Sequence, residues 1–238
     1  MLYIIGLGLN EKSISLEGIE AIKKCKKIYL ETYTVDFPYK IKDLKKTINK
    51  KISGIERSEV ESDKLITEAK KENIALLVYG SPLFATTHIS LILDAKKQKI
   101  KTKIIYSASI FDAIAETGLQ LYKFGKISSM PKWQKNFKPD SFLDFVKQNQ
   151  SINAHSLLLI DISLPIKKAL EELEKSCEQK NIKLDKILIC SSLGTKKFKI
   201  FYGAINKLKK KKVLAPYCFI IPGKMHFLEK ESVEKYLV

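Results

Sequence analysis

Four short turns built from small residues carry most of the chemistry this sequence offers. Gly6-Leu7-Gly8-Leu9 follows the apolar run that opens the chain. Gly80-Ser81-Pro82-Leu83-Phe84-Ala85-Thr86-Thr87-His88 follows the most hydrophobic run, Ser107-Ala108-Ser109-Ile110 another, and Ile221-Pro222-Gly223-Lys224-Met225-His226 the last. In open α/β sheets ligands gather at the carboxyl ends of strands, and small residues there let a ligand come close to main-chain N–H and C=O groups. The turn at 80–88 adds hydroxyls at Ser81, Thr86 and Thr87 and the free N–H groups of a helix start. Together the three later turns suggest one cleft lined by main-chain groups, suited to a neutral or cationic ligand with many hydrogen-bonding atoms.

Other chemistries lack their residues. Gly6-Leu7-Gly8 has two glycines of a dinucleotide turn, but Glu11 stands where the third belongs, and its carboxylate would oppose a pyrophosphate. There is no G-x-S-x-G, no Cys with a nearby His signature, and no close carboxylate pair on a helix face. Cys25, Cys177, Cys190 and Cys218 form no C-x-x-C pair, and His88, His155 and His226 are equally scattered, so no metal site is expected. His88 reads as a surface or capping histidine, and Glu171, Glu172 and Glu174 as solvated charges beside Lys167, Lys168 and Lys175. What remains is a reaction driven by positioning, with no catalytic side chain assigned.

The elements that must hold these turns alternate between strand-like apolar runs and segments of helical period. Strands are expected at 3–5, 28–33, 52–57, 74–79 and 102–106, the fourth unbroken by polar residues as an interior parallel strand would be. Helices are expected through 16–25 with Ser15 as cap, through 41–48, after Ser62 with Leu65, Ile66 and Ala69, and at 89–97. A helix at 109–120 and an irregular stretch at 126–139, which holds Trp133, lead to a second region. There, helices are expected near 142–146, at 166–180 and in a basic segment ending at 209–212, with strands at 157–162, 187–191, 198–201 and 217–221. The fold class is therefore α/β: residues 1–110 form one α/β domain, and residues 111–238 a second with a mixed or mostly antiparallel sheet.

Composition bounds the setting. Lys and Arg number 43 against 26 Asp and Glu, a formal charge of +17 on 238 residues, and the 45% hydrophobic content runs through the whole chain, which excludes disorder as the main state. Lysines are distributed almost everywhere and read as solvated faces; Lys207 with Lys209–Lys212 is the one dense cluster, and nucleic acid is not the expected partner. The run 2–9 has no basic flank before it and reads as a strand entering a turn, not as a signal peptide. No apolar stretch approaches the roughly 18 residues of a membrane span. With the scattered cysteines, these features predict a cytoplasmic protein.

At several places at once the residues resemble those of the diphthine synthases, a branch of the tetrapyrrole methylase superfamily. The matching segments are Leu2-Tyr3-Ile4-Ile5-Gly6-Leu7-Gly8-Leu9, Glu31-Thr32-Tyr33-Thr34, Pro82 through His88, Thr117-Gly118-Leu119, Tyr122-Lys123-Phe124-Gly125-Lys126 and Pro222-Gly223-Lys224-Met225-His226, in order along the chain. A-T-T-H and Y-K-F-G-K together are specific to that branch. The resemblance implies two α/β domains of the tetrapyrrole methylase type with S-adenosylmethionine in the cleft between them, usually in a homodimer. It implies methylation of the amino group of 3-amino-3-carboxypropyl-histidine on translation elongation factor 2, to the trimethylammonium, in diphthamide biosynthesis, with S-adenosylhomocysteine as product. Carried over motif by motif, the cofactor contacts fall on Leu9, Ser81, Phe84, Ser109 and Ile110, and in the second domain on Ile160, Leu193 and His226.

Two departures bear on that site. The family has G-D-P where this chain has Gly80-Ser81-Pro82, so a hydroxyl replaces a carboxylate beside the cofactor, and the position of Ser192 is often arginine. Methyl transfer from a sulfonium is an in-line displacement that needs alignment and a neutral amine more than it needs a base. Should a side chain assist, His88 or Glu31 are the candidates. A corrinoid or porphyrinoid ring as acceptor, and a basic RNA-binding module, are the alternative readings.

Overall fold

The computed structural model describes residues 1–238, and the chain divides into two compact units, Met1–Ile110 and Phe111–Val238. In the first unit, β1 (Leu2–Gly6), β2 (Lys27–Glu31), β3 (Ser53–Ile55), β4 (Ile74–Val78) and β5 (Thr102–Ile105) form one sheet in the order β3-β2-β4-β1-β5. Every pairing is parallel. All five residues of β1 and of β4 are buried, which is why both read as unbroken apolar runs.

Helices cover both faces of this sheet. Tyr3 and Ile5 pack with Ala21 and Ile22 of α1 (Leu16–Lys23) and Leu44 and Ile48 of α2 (Ile41–Ile48). Leu2 and Ile4 pack instead with Leu65, Ile66 and Ala69 of α4 (Lys64–Lys71) and Leu91 and Ala95 of α5 (Ile89–Lys97). The split follows the two-residue period of a strand. Ser15 caps α1 as read from the sequence, its Oγ accepting the Gly18 N–H at 3.0 Å. A one-turn helix, α3 (Arg57–Val60), lies where the strand at 52–57 was expected to end.

In the second unit, β6 (Ser128–Met130), β7 (Ser156–Ile160), β8 (Ile187–Ser191), β9 (Lys199–Gly203) and β10 (Tyr217–Ile221) form a sheet in the order β6-β7-β10-β8-β9. Only β6–β7 is parallel, so the sheet is mixed and mostly antiparallel, as expected. Met130, Leu158, Ile189, Phe219 and Ile221 pack against Phe142, Leu143 and Val146 of α7 (Phe142–Ser151) and Ala169, Leu170 and Leu173 of α8 (Ile166–Gln179).

Four local expectations change. The helix at 109–120 is one α turn, α6 (Ile110–Ala113), tightening into a 3-10 turn at Ile114–Thr117. The Thr117 hydroxyl turns back to the Ile114 carbonyl at 2.7 Å and accepts the Leu119 N–H at 3.2 Å, and Gly118 takes a left-handed φ of 83°, so the helix stops there. Strand β6 carries only three residues and no apolar alternation to betray it. Helix α9 (Ile205–Leu208) ends at Leu208, before the run 209–212 in which the basic helix was expected to end. A last helix, α10 (Phe227–Glu234), escaped the reading because its capping box pairs His226 with Glu229, and histidine is not a usual cap.

Candidate functional site

In the first unit the turns after β1, β4 and β5 abut at the carboxyl end of the parallel sheet. Gly8 and Gly80 exchange backbone hydrogen bonds, N–H to O distances being 3.2 and 3.0 Å, with φ of 69° and 71°. A Cβ placed on Gly6 would lie 2.6 Å from the Gly80 carbonyl and 3.0 Å from both Pro82 Cδ and Ser107 Cβ. A Cβ on Gly80 would make ordinary van der Waals contact with Ala108 O and Ser109 Cα, both at 3.8 Å, so the turns after β4 and β5 lie against each other there. Leu9, Ser81, Phe84, Ser109 and Ile110 therefore stand on three adjoining turns. Tyr79 holds the first of them, its hydroxyl donating to the Leu9 carbonyl at 3.3 Å while Phe37 packs edge-on to its ring.

In the second unit the three sequence-derived positions stand at the end of β7 and on the segments that follow β8 and β10. Ile160 closes β7 and Leu193 follows β8, both at the end of the sheet where β10 begins, since Cys218 pairs with Leu159 and Tyr217 with Ser191. His226 follows the other end of β10, where Ile221 pairs with Ser156. At ~3.4 Å per residue the two ends of β10 lie about 14 Å apart, with the turn that carries His226 beginning at the second. Leu193 is itself buried, whereas His226 is exposed beside an open cavity of about 680 Å³ that Tyr122, Lys123, Lys224 and Phe227 also line.

The His226 end is organised by Glu229, a carboxylate 1% exposed. It accepts the N–H of Gln120 at 2.9 Å and of His226 at 2.7 Å, His155 Nε2 lies 3.0 Å away, and Lys123 Nζ makes an ion pair with it. The other ring nitrogen of His155 accepts the Gly223 N–H at 2.8 Å, so His155 is neutral with its proton on Nε2, directed at Glu229. Burial holds the His155 pKa below its ordinary value, in keeping with that tautomer. Burial pushes the Glu229 carboxyl up, but Lys123, the Gln120 and His226 N–H groups and His155 together bring it down to about 2. The sequence showed these residues only as scattered; the spacing His226-x-x-Glu229 was the one available signal.

Two assignments of surface character are corrected. His88 is 2% exposed, not at the surface; it stands at the N-cap position of α5, but its side chain does not cap the helix, since Nε2 lies 2.5 Å from Glu31 Oε2 and Nδ1 lies 3.0 Å from the Pro82 carbonyl oxygen. Glu172 is 3% exposed instead of solvated, because its place on α8 faces the Trp133 segment, whose backbone N–H approaches Glu172 Oε2 at 3.4 Å. Burial pushes the Glu172 pKa up. Cys190 and Cys218, distant in sequence, face each other across β8 and β10 as buried free thiols.

The fold and its turns are those of an α/β methylase. The family described as Tetrapyrrole (Corrin/Porphyrin) Methylases matches residues 1–209. A diphthine synthase from Methanococcus vannielii is 38% identical over 252 aligned residues, covering 100% of this chain and 98% of the relative. A diphthine methyl ester synthase from Dictyostelium discoideum is 37% identical over 269, again covering 100% and 98%. A solved diphthine synthase structure superposes with a TM-score of 0.90 at 31% identity, covering 99% of this chain and 95% of the other. The chain belongs to the tetrapyrrole methylases and, within them, to the diphthine synthases.

Proposed function

We propose that this chain transfers methyl groups from S-adenosylmethionine to the amino group of 3-amino-3-carboxypropyl-histidine on translation elongation factor 2, forming the trimethylammonium of diphthine. Full-length similarity to diphthine synthases carries the reading. The donor-binding residues are Leu9, Ser81, Phe84, Ser109 and Ile110 in the first unit and Ile160, Leu193 and His226 in the second. The first unit suits such a ligand: three main-chain turns adjoin, and main-chain groups match a ligand rich in amino, carboxylate, hydroxyl and adenine atoms. A homodimer in the cytoplasm, where translation factors act, completes the reading; no helix is long and apolar enough to cross a membrane.

Bound there, S-adenosylmethionine supplies an electrophilic methyl group on a positively charged sulfur that leaves as a neutral thioether. The chain's own work is positional. The bridge between Gly8 and Gly80 and the packing at Gly6 keep the three turns in register, the rigidity that aligning the donor's methyl carbon with an acceptor nitrogen would require. Alignment of this kind supplies roughly 7 to 11 kcal/mol of a barrier. A neutral amine attacks; the first two transfers each leave a protonated amine that gives a proton to water before the next, and the third leaves a quaternary ammonium with no proton to lose. The RNA-binding alternative gains no support from the lysine cluster, where Lys209 pairs with Glu174 and Lys211 lies over the Phe201 ring at 5.9 Å.

The reading is tested by incubating the protein with methyl-labelled donor and elongation factor 2 carrying the 3-amino-3-carboxypropyl group. Label in the factor and three added methyl groups by mass spectrometry are expected; a fourth would mark the ester named for the Dictyostelium relative. An unlabelled factor overturns the reading.

The half-buried Ser81 gives a second expectation. Ser81→Asp restores a carboxylate beside the sulfonium and tightens S-adenosylmethionine by roughly threefold to tenfold, with less effect on uncharged S-adenosylhomocysteine. Calorimetry with both ligands measures it; equal changes for the two would place Ser81 away from the sulfur.

A further inference from the structure

We propose that the buried pair Glu31–His88 is a positioning device that fixes the Ser81–Phe84 turn for the methyl donor and keeps its own proton, so that neither side chain is the base of the reaction. This rests on the donor reading above. Glu31 ends β2 and His88 lies in the loop after β4, and these strands are neighbours, so the two side chains meet beside the donor turn. Their side chains are 0% and 2% exposed.

The hydrogen-bond chemistry sets the protonation. A carbonyl oxygen only accepts, so Nδ1, 3.0 Å from the Pro82 oxygen, carries a hydrogen. Nε2 and Glu31 Oε2 stand 2.5 Å apart, too close for two lone pairs to face each other, so a proton lies between them, and Oε2 meets no other hydrogen-bond donor. The Thr34 hydroxyl donates to the other Glu31 oxygen and favours the charged form. The pair is an imidazolium on a carboxylate, and loss of its proton would leave an unpaired buried carboxylate. Tyr33 also lies near Glu31, with Arg57 5.4 Å over its ring and Glu61 close by. Burial lowers the His88 pKa, but Glu31 and the Pro82 carbonyl raise it above its ordinary 6.5, in keeping with the geometry. An imidazolium has no lone pair with which to take a proton from the substrate amine.

What the pair does hold is the loop. The Pro82 carbonyl, between Ser81 and Phe84, also accepts the Thr86 hydroxyl at 2.8 Å, and the Phe84 N–H closes on the Ser81 carbonyl at 3.2 Å. Ala85 sits at a φ of 55°, a left-handed conformation that a side chain rarely adopts and that surrounding contacts must enforce. His88 anchors this winding to the end of β2.

The experiment has a spectroscopic and a binding arm. In wild-type protein, nitrogen NMR of the His88 ring is expected to show both nitrogens protonated through neutral pH; a bare nitrogen there overturns the proposal. His88→Phe is expected to weaken S-adenosylhomocysteine roughly tenfold to hundredfold by calorimetry, and Thr86→Val, on a half-buried side chain, in the same direction by less. At saturating donor, kcat should keep its pH dependence in Thr86→Val. Unchanged product affinity in both variants overturns the positioning role, as does a histidine-like limb in the pH profile of kcat that His88→Phe abolishes. Wild-type protein that takes up no S-adenosylhomocysteine overturns the donor reading and the role of the turn with it, while the nitrogen spectrum still decides where the proton sits.

Discussion

Gly6→Ala is expected to abolish measurable S-adenosylhomocysteine uptake and to lower methyl transfer about a hundredfold or more. The backbone at Gly6 does not take the left-handed conformation, so the effect is purely steric. The added Cβ would lie 2.6 Å from the Gly80 carbonyl oxygen. That oxygen cannot retreat cheaply, because it accepts the Gly8 N–H. Pro82 Cδ and Ser107 Cβ, each 3.0 Å from the new atom, close the other sides. The methyl group is accommodated only by driving the turns after β1, β4 and β5 apart, which disperses the groups proposed to hold the donor. Overpacking of this kind costs about 1 to 3 kcal/mol of stability, so the fold survives while the site opens. Gly54→Ala is the control: it lies in β3, and its nearest neighbour would be Thr32 Cγ2 at an ordinary 3.6 Å. Calorimetry and thermal melting of both variants decide the matter, and Gly6→Ala with wild-type affinity would mean that these turns do not form the donor site.

Glu229→Gln is expected to destabilise the protein by about 3 kcal/mol at neutral pH, since removing one partner of a buried ion pair leaves the other uncompensated. An amide keeps the shape but places an N–H₂ donor where donors already converge: the Gln120 and His226 N–H groups, the His155 ring and the Lys123 ammonium. The segment 120–123, residue 155 and the turn before α10 lose their common anchor, and His226, one of the residues proposed to hold the donor, is displaced with them.

The pH dependence has a definite sign. The folded Glu229 carboxyl titrates at about 2 against an ordinary 4.5, so its contribution is complete above 4.5 and lost as pH falls toward 2. His155, lowered from 6.5, acts in the same direction: the unfolded chain takes up its proton first, and stability falls as pH drops below 6.5. His88, raised above 6.5, acts oppositely and is stabilising below that value. The stability gap between wild type and Glu229→Gln should therefore be full near neutrality and close in acid. Denaturant unfolding across that range measures it, and a gap independent of pH would show that the carboxylate charge is not what matters.

Much of the frame was legible before any tertiary contact. The bounds of α5, β8 and β10, the Ser15 cap, the parallel character of the first sheet and the mixed character of the second all follow from periodicity, burial on one or two faces, and capping chemistry. These depend on a residue and its near neighbours, which is the information a sequence states directly. The small-residue turns were legible for the same reason, since a strand that runs into glycine, serine or proline marks its own end.

What the tertiary structure alone decided was which ends are neighbours. The strand order β3-β2-β4-β1-β5 sets Gly8 against Gly80 and brings Glu31 to His88, turning a histidine that looked superficial into half of a buried ion pair. The antiparallel run of β10 between β7 and β8 sends His226 to the end opposite Ile160 and Leu193, and gathers Lys123, His155 and the Gly223 turn around Glu229. Apolar periodicity says which face of an element is inside, but a buried polar group takes its partner from whatever element packs beside it, and that is settled only when the sheets assemble.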